Sequence, residues 1–111
     1  MSFPALIVVP TANAEAAKAT YTALLGIEPY VDSEYYIGYY TDQGEIGIDP
    51  SNPGSGPLPY WDVADMDAAI ASLTATGATI VKAPQEVGGG LTVAVLADSD
   101  GNPIGLRQEA S

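Results

Sequence analysis

LTVAVLADSDGNPIGLRQ, residues Leu91 to Gln108, decides the fold. An alternating apolar run from Thr92 to Ala97 reaches the polar cluster Asp98-Ser99-Asp100-Gly101-Asn102. A second alternating run, Pro103 to Arg107, leaves it. Period-two alternation on both sides of an Asp/Asn/Gly cluster predicts a β-hairpin. Gly101 and Asn102 supply the residue types that tolerate positive φ in its turn.

Upstream, VADMDAAIASLTATGATIV reads as an amphipathic helix followed by a strand. Asp65 caps the helix Met66–Thr76, Met66, Ala69, Ile70 and Leu73 form its apolar face, and Gly77 stops it. Leu58–Val63 is a strand before it, Thr79–Lys82 a strand after it, and Gly88-Gly89-Gly90 a loop leading into the hairpin. The first half repeats this order. Phe3–Val9 is an apolar strand ended by Pro10, and Thr11 or Asn13 caps the helix Ala14–Leu25. That helix presents Ala17, Tyr21, Leu24 and Leu25 on one face and stops at Gly26. Strands around Pro29–Val31, Tyr35–Thr41 and Glu45–Asp49 follow, the last two joined by a tight turn at Asp42-Gln43-Gly44. The segment Pro50 to Pro57, PSNPGSGP, is linker-like. A unit repeating after roughly fifty residues signals stacked supersecondary modules. One domain over residues 1–111 is therefore expected, with module one at 1–50, a linker at 51–57 and module two at 58–111. At this length neither module is expected to be stable alone.

Composition narrows the chemistry. The chain has 14 acidic and 3 basic residues and no Cys or His. A net charge of −11 would repel a polyanion, so no nucleic acid is expected as partner. The same acidity serves solubility and would attract a cationic ligand. Without Cys or His there is no disulfide, no thiolate metal site and no imidazole acid–base chemistry. No apolar run approaches the ~20 residues of a membrane span. The leading MSFPALIVVP lacks the basic region and cleavage site of a secretory signal, so a cytoplasmic protein without membrane association is expected.

The two βαβββ units, the LLG ending the first helix (Leu24–Gly26), the VADMDAA entry to the second (Val63–Ala69) and the DSDGNPI hairpin (Asp98–Ile104) together resemble the vicinal oxygen chelate superfamily. That group holds the glyoxalase, bleomycin-resistance and extradiol dioxygenase proteins, and the chain is most similar to its small glyoxalase-like members. The resemblance implies an α+β fold of two βαβββ modules forming paired curled mixed sheets around a cleft, and a homodimer. It also implies where metal ligands would stand: a His on the first strand of a module, at Leu6 and Leu58, and a Glu on the last, at Gly47 and Gly105. None of these four residues has a donor side chain. No metal and no cofactor are therefore expected.

Strand parity names the residues that would line the cleft, because residues two apart share a sheet face. Leu6 and Val8 face it on the first strand, and Leu58, Tyr60 and Asp62 on the corresponding strand of module two. Pro59, Trp61 and Val63 then face the core. A two-residue turn after Thr41 or Asp42 puts Tyr36, Gly38 and Tyr40 on the face of Gly47 and Asp49. A five-residue loop from Asp98 to Asn102 puts Val93 and Val95 on the face of Gly105 and Arg107. One more residue in either loop would substitute Tyr35, Ile37 and Tyr39, or Thr92, Ala94 and Leu96. Glycines at 38, 47 and 105 would leave open space. A single tyrosine is a common strand residue, but Tyr35, Tyr36, Tyr39, Tyr40 and Tyr60 form a cluster. Asp62 and Arg107 share a face and can pair with each other.

An apolar, aromatic lining with few charges suits a planar organic ligand. The expected function is binding or sequestration of a small aromatic metabolite or antibiotic, neutral to cationic, in the manner of the bleomycin-resistance branch. The alternative is a lyase- or isomerase-type enzyme of the same superfamily working without metal, through Asp49, Asp62 or a tyrosine as general base.

Overall fold

The structure is a computed structural model, described here for residues 3–50 and 56–110. It is a mixed α+β protein with two βαβββ modules. In chain order the elements are β1 (Leu6–Pro10), α1 (Ala14–Leu25), β2 (Val31–Asp32), β3 (Ile37–Tyr40), β4 (Glu45–Asp49), β5 (Leu58–Asp62), α2 (Met66–Thr74), β6 (Thr79–Glu86), β7 (Leu91–Ala97) and β8 (Pro103–Glu109). The described residues divide into two compact units, one over Ala5–Leu58 and one from Pro59 onward that also takes in Phe3 and Pro4. Most of the linker expected at 51–57 lies outside the described residues.

In the first module the strand order is β2-β3-β4-β1. β1 runs parallel to β4, pairing Leu6 with Glu45 and Val8 with Gly47, while β3 runs antiparallel to β4, pairing Gly38 with Gly47 and Tyr40 with Glu45. The parallel pair is possible because α1 supplies the crossover between its strands. Asn13 caps α1, its side chain accepting from Ala16 N–H at 3.1 Å, and Gly26 ends it in the left-handed conformation at φ 69°. The core is Ile37, Tyr39 and Ile48, packed against Ala14, Ala17, Tyr21, Leu25 and Ile46. Tyr39 has no exposed surface, and its hydroxyl meets Thr22 Oγ1 at 2.9 Å and donates to the Lys18 carbonyl at 3.1 Å. Leu24 was expected on this face but is 72% exposed. Ala14, at the start of the helix, packs there instead, so the half-buried stripe on the core is Ala14, Ala17, Tyr21 and Leu25.

The second module repeats the plan in the order β5-β8-β7-β6. β5 is parallel to β8, pairing Tyr60 with Gly105 and Asp62 with Arg107. β7 is antiparallel to β8, pairing Val95 with Gly105 and Val93 with Arg107. The hairpin turn closes with Asp98 N–H donating to the Asn102 carbonyl at 2.9 Å and Gly101 N–H donating to the Asp98 carbonyl at 2.9 Å. Gly101 stands at φ 86°, a left-handed conformation that glycine adopts without steric cost, within the five residues Asp98–Asn102 that join β7 to β8. Asp65 caps α2 through Ala68 N–H, and Gln108 on β8 takes the Met66 N–H at 2.6 Å, tying the helix start to the sheet. The core is Met66, Ala78, Ala94, Leu96 and Leu106, with Ala69, Ile70 and Leu73 from the helix packed on it. Several boundaries differ from the sequence reading: β1 runs Leu6–Pro10 rather than Phe3–Val9 and so takes in Pro10, β2 is Val31–Asp32 rather than Pro29–Val31, and β3 is Ile37–Tyr40 rather than Tyr35–Thr41. α2 ends at Thr74, with Thr76 and Gly77 in the turn that follows, and β6 continues past Lys82 to Glu86. Register shifts between Ile80 and Lys82 and between Lys82 and Gln85 let β6 run on past Pro84, which has no N–H for a regular ladder. No helix among the described residues is long and apolar enough to cross a membrane.

Candidate functional site

In each module one sheet face packs against the helix, and the opposite face carries the expected site residues. On the first module this face holds Leu6, Val8, Tyr36, Gly38, Tyr40, Gly47 and Asp49. The Gly38–Gly47 pairing fixes it. Thr41 N–H donates to the Gly44 carbonyl at 2.7 Å, so the turn has two residues, Asp42 and Gln43. That length puts Ile37 and Tyr39 toward α1, which excludes the alternative parity. On the second module the face holds Leu58, Tyr60, Asp62, Val93, Val95, Gly105 and Arg107, fixed by the Val95–Gly105 and Tyr60–Gly105 pairings. Trp61 pairs with Leu106 on the helix side, as parity expected. It borders a groove of about 390 Å³ shared with Val63, Ala69, Ser72, Leu73, Ile104 and Leu106.

The open space expected at the three glycines is filled. A Cβ on Gly47 would stand 2.5 Å from Tyr36 Cε1 and 2.7 Å from its Cζ. A Cβ on Gly105 would stand 2.6 Å from Tyr60 Cγ. At Gly38 the nearest atoms would be Tyr30 Cε1 at 2.6 Å and Tyr36 Cε2 at 2.9 Å. Each glycine thus lies under tyrosine ring atoms, and a side chain there would have to move a ring.

Around these seats the first module builds a polar-tipped aromatic cluster. Tyr30 and Tyr36 both donate through their hydroxyls to Glu45 Oε2, each at 2.5 Å. The Tyr30 ring stacks on Tyr40 with centroids 3.9 Å apart and planes 12° from parallel. Burial against these rings, followed by the hydrogen bond to Glu45, pushes the Tyr30 hydroxyl well above its usual ionisation range. Tyr30 and Glu45 were absent from the residues expected from sequence. Parity carried the signal for Glu45, which lies two residues before Gly47. Tyr30 had none, because it precedes the two-residue β2 and reaches the face by hydrogen-bonding its N–H to the Gly38 carbonyl at 2.9 Å. Tyr35, from the same sequence cluster, points to solvent at 77% exposure. In the second module Arg107 Nε donates to Asp62 Oδ1 at 2.8 Å, so these two charges satisfy each other.

A family model described as the Glyoxalase/Bleomycin resistance protein/Dioxygenase superfamily matches residues 4–106. The chain belongs to this superfamily. Solved structures with the same fold include a hypothetical protein from Bacillus halodurans C-125 (12% identity, TM-score 0.78, covering 98% of this chain and 95% of that one). A superfamily member from Vibrio splendidus 12B01 is similar at 15% identity and TM-score 0.72, covering 93% and 95% of the two chains. A methylmalonyl-CoA epimerase variant from Streptomyces coelicolor, in complex with 2-nitronate-propionyl-CoA, is similar at 19% identity and TM-score 0.67, covering 100% and 99%. At these identities the likeness establishes the fold alone. Comparison with curated proteins gives no match.

The superfamily's metal can be tested against the residues present. The four positions expected to carry ligands hold Leu6, Gly47, Leu58 and Gly105. Two aliphatic side chains and two glycines offer no donor atom, and a carboxylate at either glycine would have to displace a tyrosine ring. Among the described residues no group of three or more Asp or Glu side chains is placed to share an ion. The donor set does not fit a metal centre at these positions.

Proposed function

We propose that this superfamily member binds and sequesters a small planar aromatic metabolite or antibiotic on its tyrosine-covered sheet face, without a metal. The observation that carries this reading is the exchange at Gly47 and Gly105. At the two positions where the resemblance implies carboxylate ligands, this chain has glycines covered by tyrosine rings. Aromatic rings prefer offset-stacked or edge-to-face partners, which is what a planar ligand supplies.

Tyr30 and Asp62 are poorly placed to act as general bases. The Tyr30 hydroxyl is pushed up in ionisation and is committed to Glu45, and Asp62 is held by Arg107. A carboxylate already accepting from two phenols or from a guanidinium is a poor base. Homodimerisation is part of the proposal, and a light-scattering mass of one 11.4 kDa chain at micromolar concentration would remove that part.

The test is calorimetric titration of naphthalene- and quinoline-type compounds into protein with and without prior chelator dialysis, with product formation followed in the same mixtures. Saturable binding, unchanged by the chelator, weakened by Tyr36→Ala and unaccompanied by turnover, is the expected result. Turnover that depends on an added divalent metal, or no binding of any aromatic, would overturn the proposal.

A further inference from the structure

Resting on the reading of the tyrosine face as a ligand platform, we infer that Tyr30, Tyr36, Tyr40 and Glu45 form a site for an organic cation, a quaternary or tertiary ammonium group carried on the aromatic ligand. A cation is attracted to the negative face of an aromatic ring, and tyrosine is among the better donors of such a face. Tyr40 is covered on one side by Tyr30 and remains 61% exposed, so its other side is open to a ligand. Tyr30 and Tyr36 both donate to one carboxylate oxygen, and a phenol that donates to an anion becomes richer in electron density. The same oxygen orients both rings.

Glu45 contributes its own charge. It lies directly across the ladder from Tyr40, and its second oxygen, Oε1, accepts no hydrogen bond among the described residues. An ammonium group at the Tyr40 ring would therefore meet an aromatic face and a carboxylate edge together. The surrounding field has the same sign. The first module carries the carboxylates Glu15, Glu28, Asp32, Glu34, Asp42, Glu45 and Asp49 against the single cation Lys18. Lys18 is itself engaged by Asp32. An anionic ligand would be repelled here, and a neutral aromatic would gain stacking but nothing from the field.

The experiment compares two probes of one shape and opposite character, 4-(trimethylammonio)phenol and 4-tert-butylphenol, by calorimetry on the full chain at low salt. The expected result is about a tenfold preference for the ammonium probe, reduced at high salt. Glu45→Gln and Tyr40→Leu should each lower the affinity for the cation while leaving that for the neutral probe nearly unchanged. Tyr40 is exposed, so its variant folds even if loss of the Glu45 charge disturbs the cluster. Equal affinity for both probes would overturn the cation site and leave the aromatic platform standing. Binding of neither would overturn both. A preference for the cation that survives Tyr40→Leu and Glu45→Gln would place the cation elsewhere and equally overturn this assignment.

Discussion

Replacing Gly105 with alanine tests the seating of a tyrosine on glycine most directly. The residue lies in the middle of β8 without a positive φ, so alanine is conformationally allowed there. On backbone entropy alone, alanine in a strand interior should stabilise by roughly 0.5–1 kcal/mol. The structure predicts the opposite sign. The new methyl would stand 2.6 Å from Tyr60 Cγ, an atom at the root of the ring that turning the ring about χ2 does not move. Overpacking of this kind costs about 1–3 kcal/mol, so the net expectation is a loss of roughly 0.5–2 kcal/mol. In a Tyr60→Ala background the collision is gone, and Gly105→Ala should then stabilise by about 0.5–1 kcal/mol. The coupling between the two sites is therefore roughly 1–3 kcal/mol, above the scatter of a double-mutant cycle. Urea unfolding of the four proteins, compared at a common m-value, measures it. If Gly105→Ala has the same sign and size in both backgrounds, the ring does not rest on the glycine and the aromatic replacement of the carboxylate position is wrong.

Three further outcomes are expected. Tyr39→Phe removes a fully buried hydroxyl that serves Thr22 and the Lys18 carbonyl, and should lower stability by roughly 1–2 kcal/mol in urea without altering ligand affinity. The Asp98 carboxyl is held below its ordinary value of 3.8, first by the Asn102 side chain and then by backbone N–H groups of the hairpin. Its folded value lies below its unfolded one, so its contribution is complete above pH 3.8 and lost as pH falls through the folded value; Asp98→Asn should flatten that part of an acid-unfolding profile. Gly47→Ala should be milder than Gly105→Ala, because the atoms it meets are the far end of Tyr36, which can swing away. Its cost should appear instead in ligand affinity, since a displaced Tyr36 leaves Glu45; full affinity in this variant would contradict the role given to the cluster.

The fold was legible where the chain punctuates itself. Asn13, Gly26, Asp65 and Gly101 each perform a backbone task that few residue types can, and each stands where its type predicted. The missed boundaries have the opposite character. β6 continues through Lys82-Ala83-Pro84-Gln85 because β7 offers it a partner, a tertiary effect without a local signature. Leu24 followed the helical period but lies beyond the width of the stripe that a short sheet covers, so the smaller Ala14 packs in its place.

The site was legible in its parity and illegible in its filling. Turn lengths set which side chains share a face; the sequence left a one-residue alternative open in each turn, and the strand pairing decides for the parity that puts Tyr36, Gly38, Gly47, Val95 and Gly105 on the expected sides. A glycine in a strand, however, signals only that something approaches closely, not what. An incoming ligand and a ring of the same chain satisfy that signal equally well. The difference depends on Tyr30 and Tyr36 finding a common acceptor, and Glu45 meets them only once β3 and β4 have paired. The ring over Gly47 is thus held at its tip by a carboxylate on the same strand, two residues from the position at which the resemblance led us to expect a ligand carboxylate. Replacing Gly47 with glutamate alone would crowd Tyr36 and set a second carboxylate on Glu45's own strand face, while Leu6 and Leu58 still offered no donor. The Gly47→Glu substitution is therefore expected to lower stability without creating metal affinity, because the tyrosine ring over Gly47 occupies the space that a ligand side chain would need.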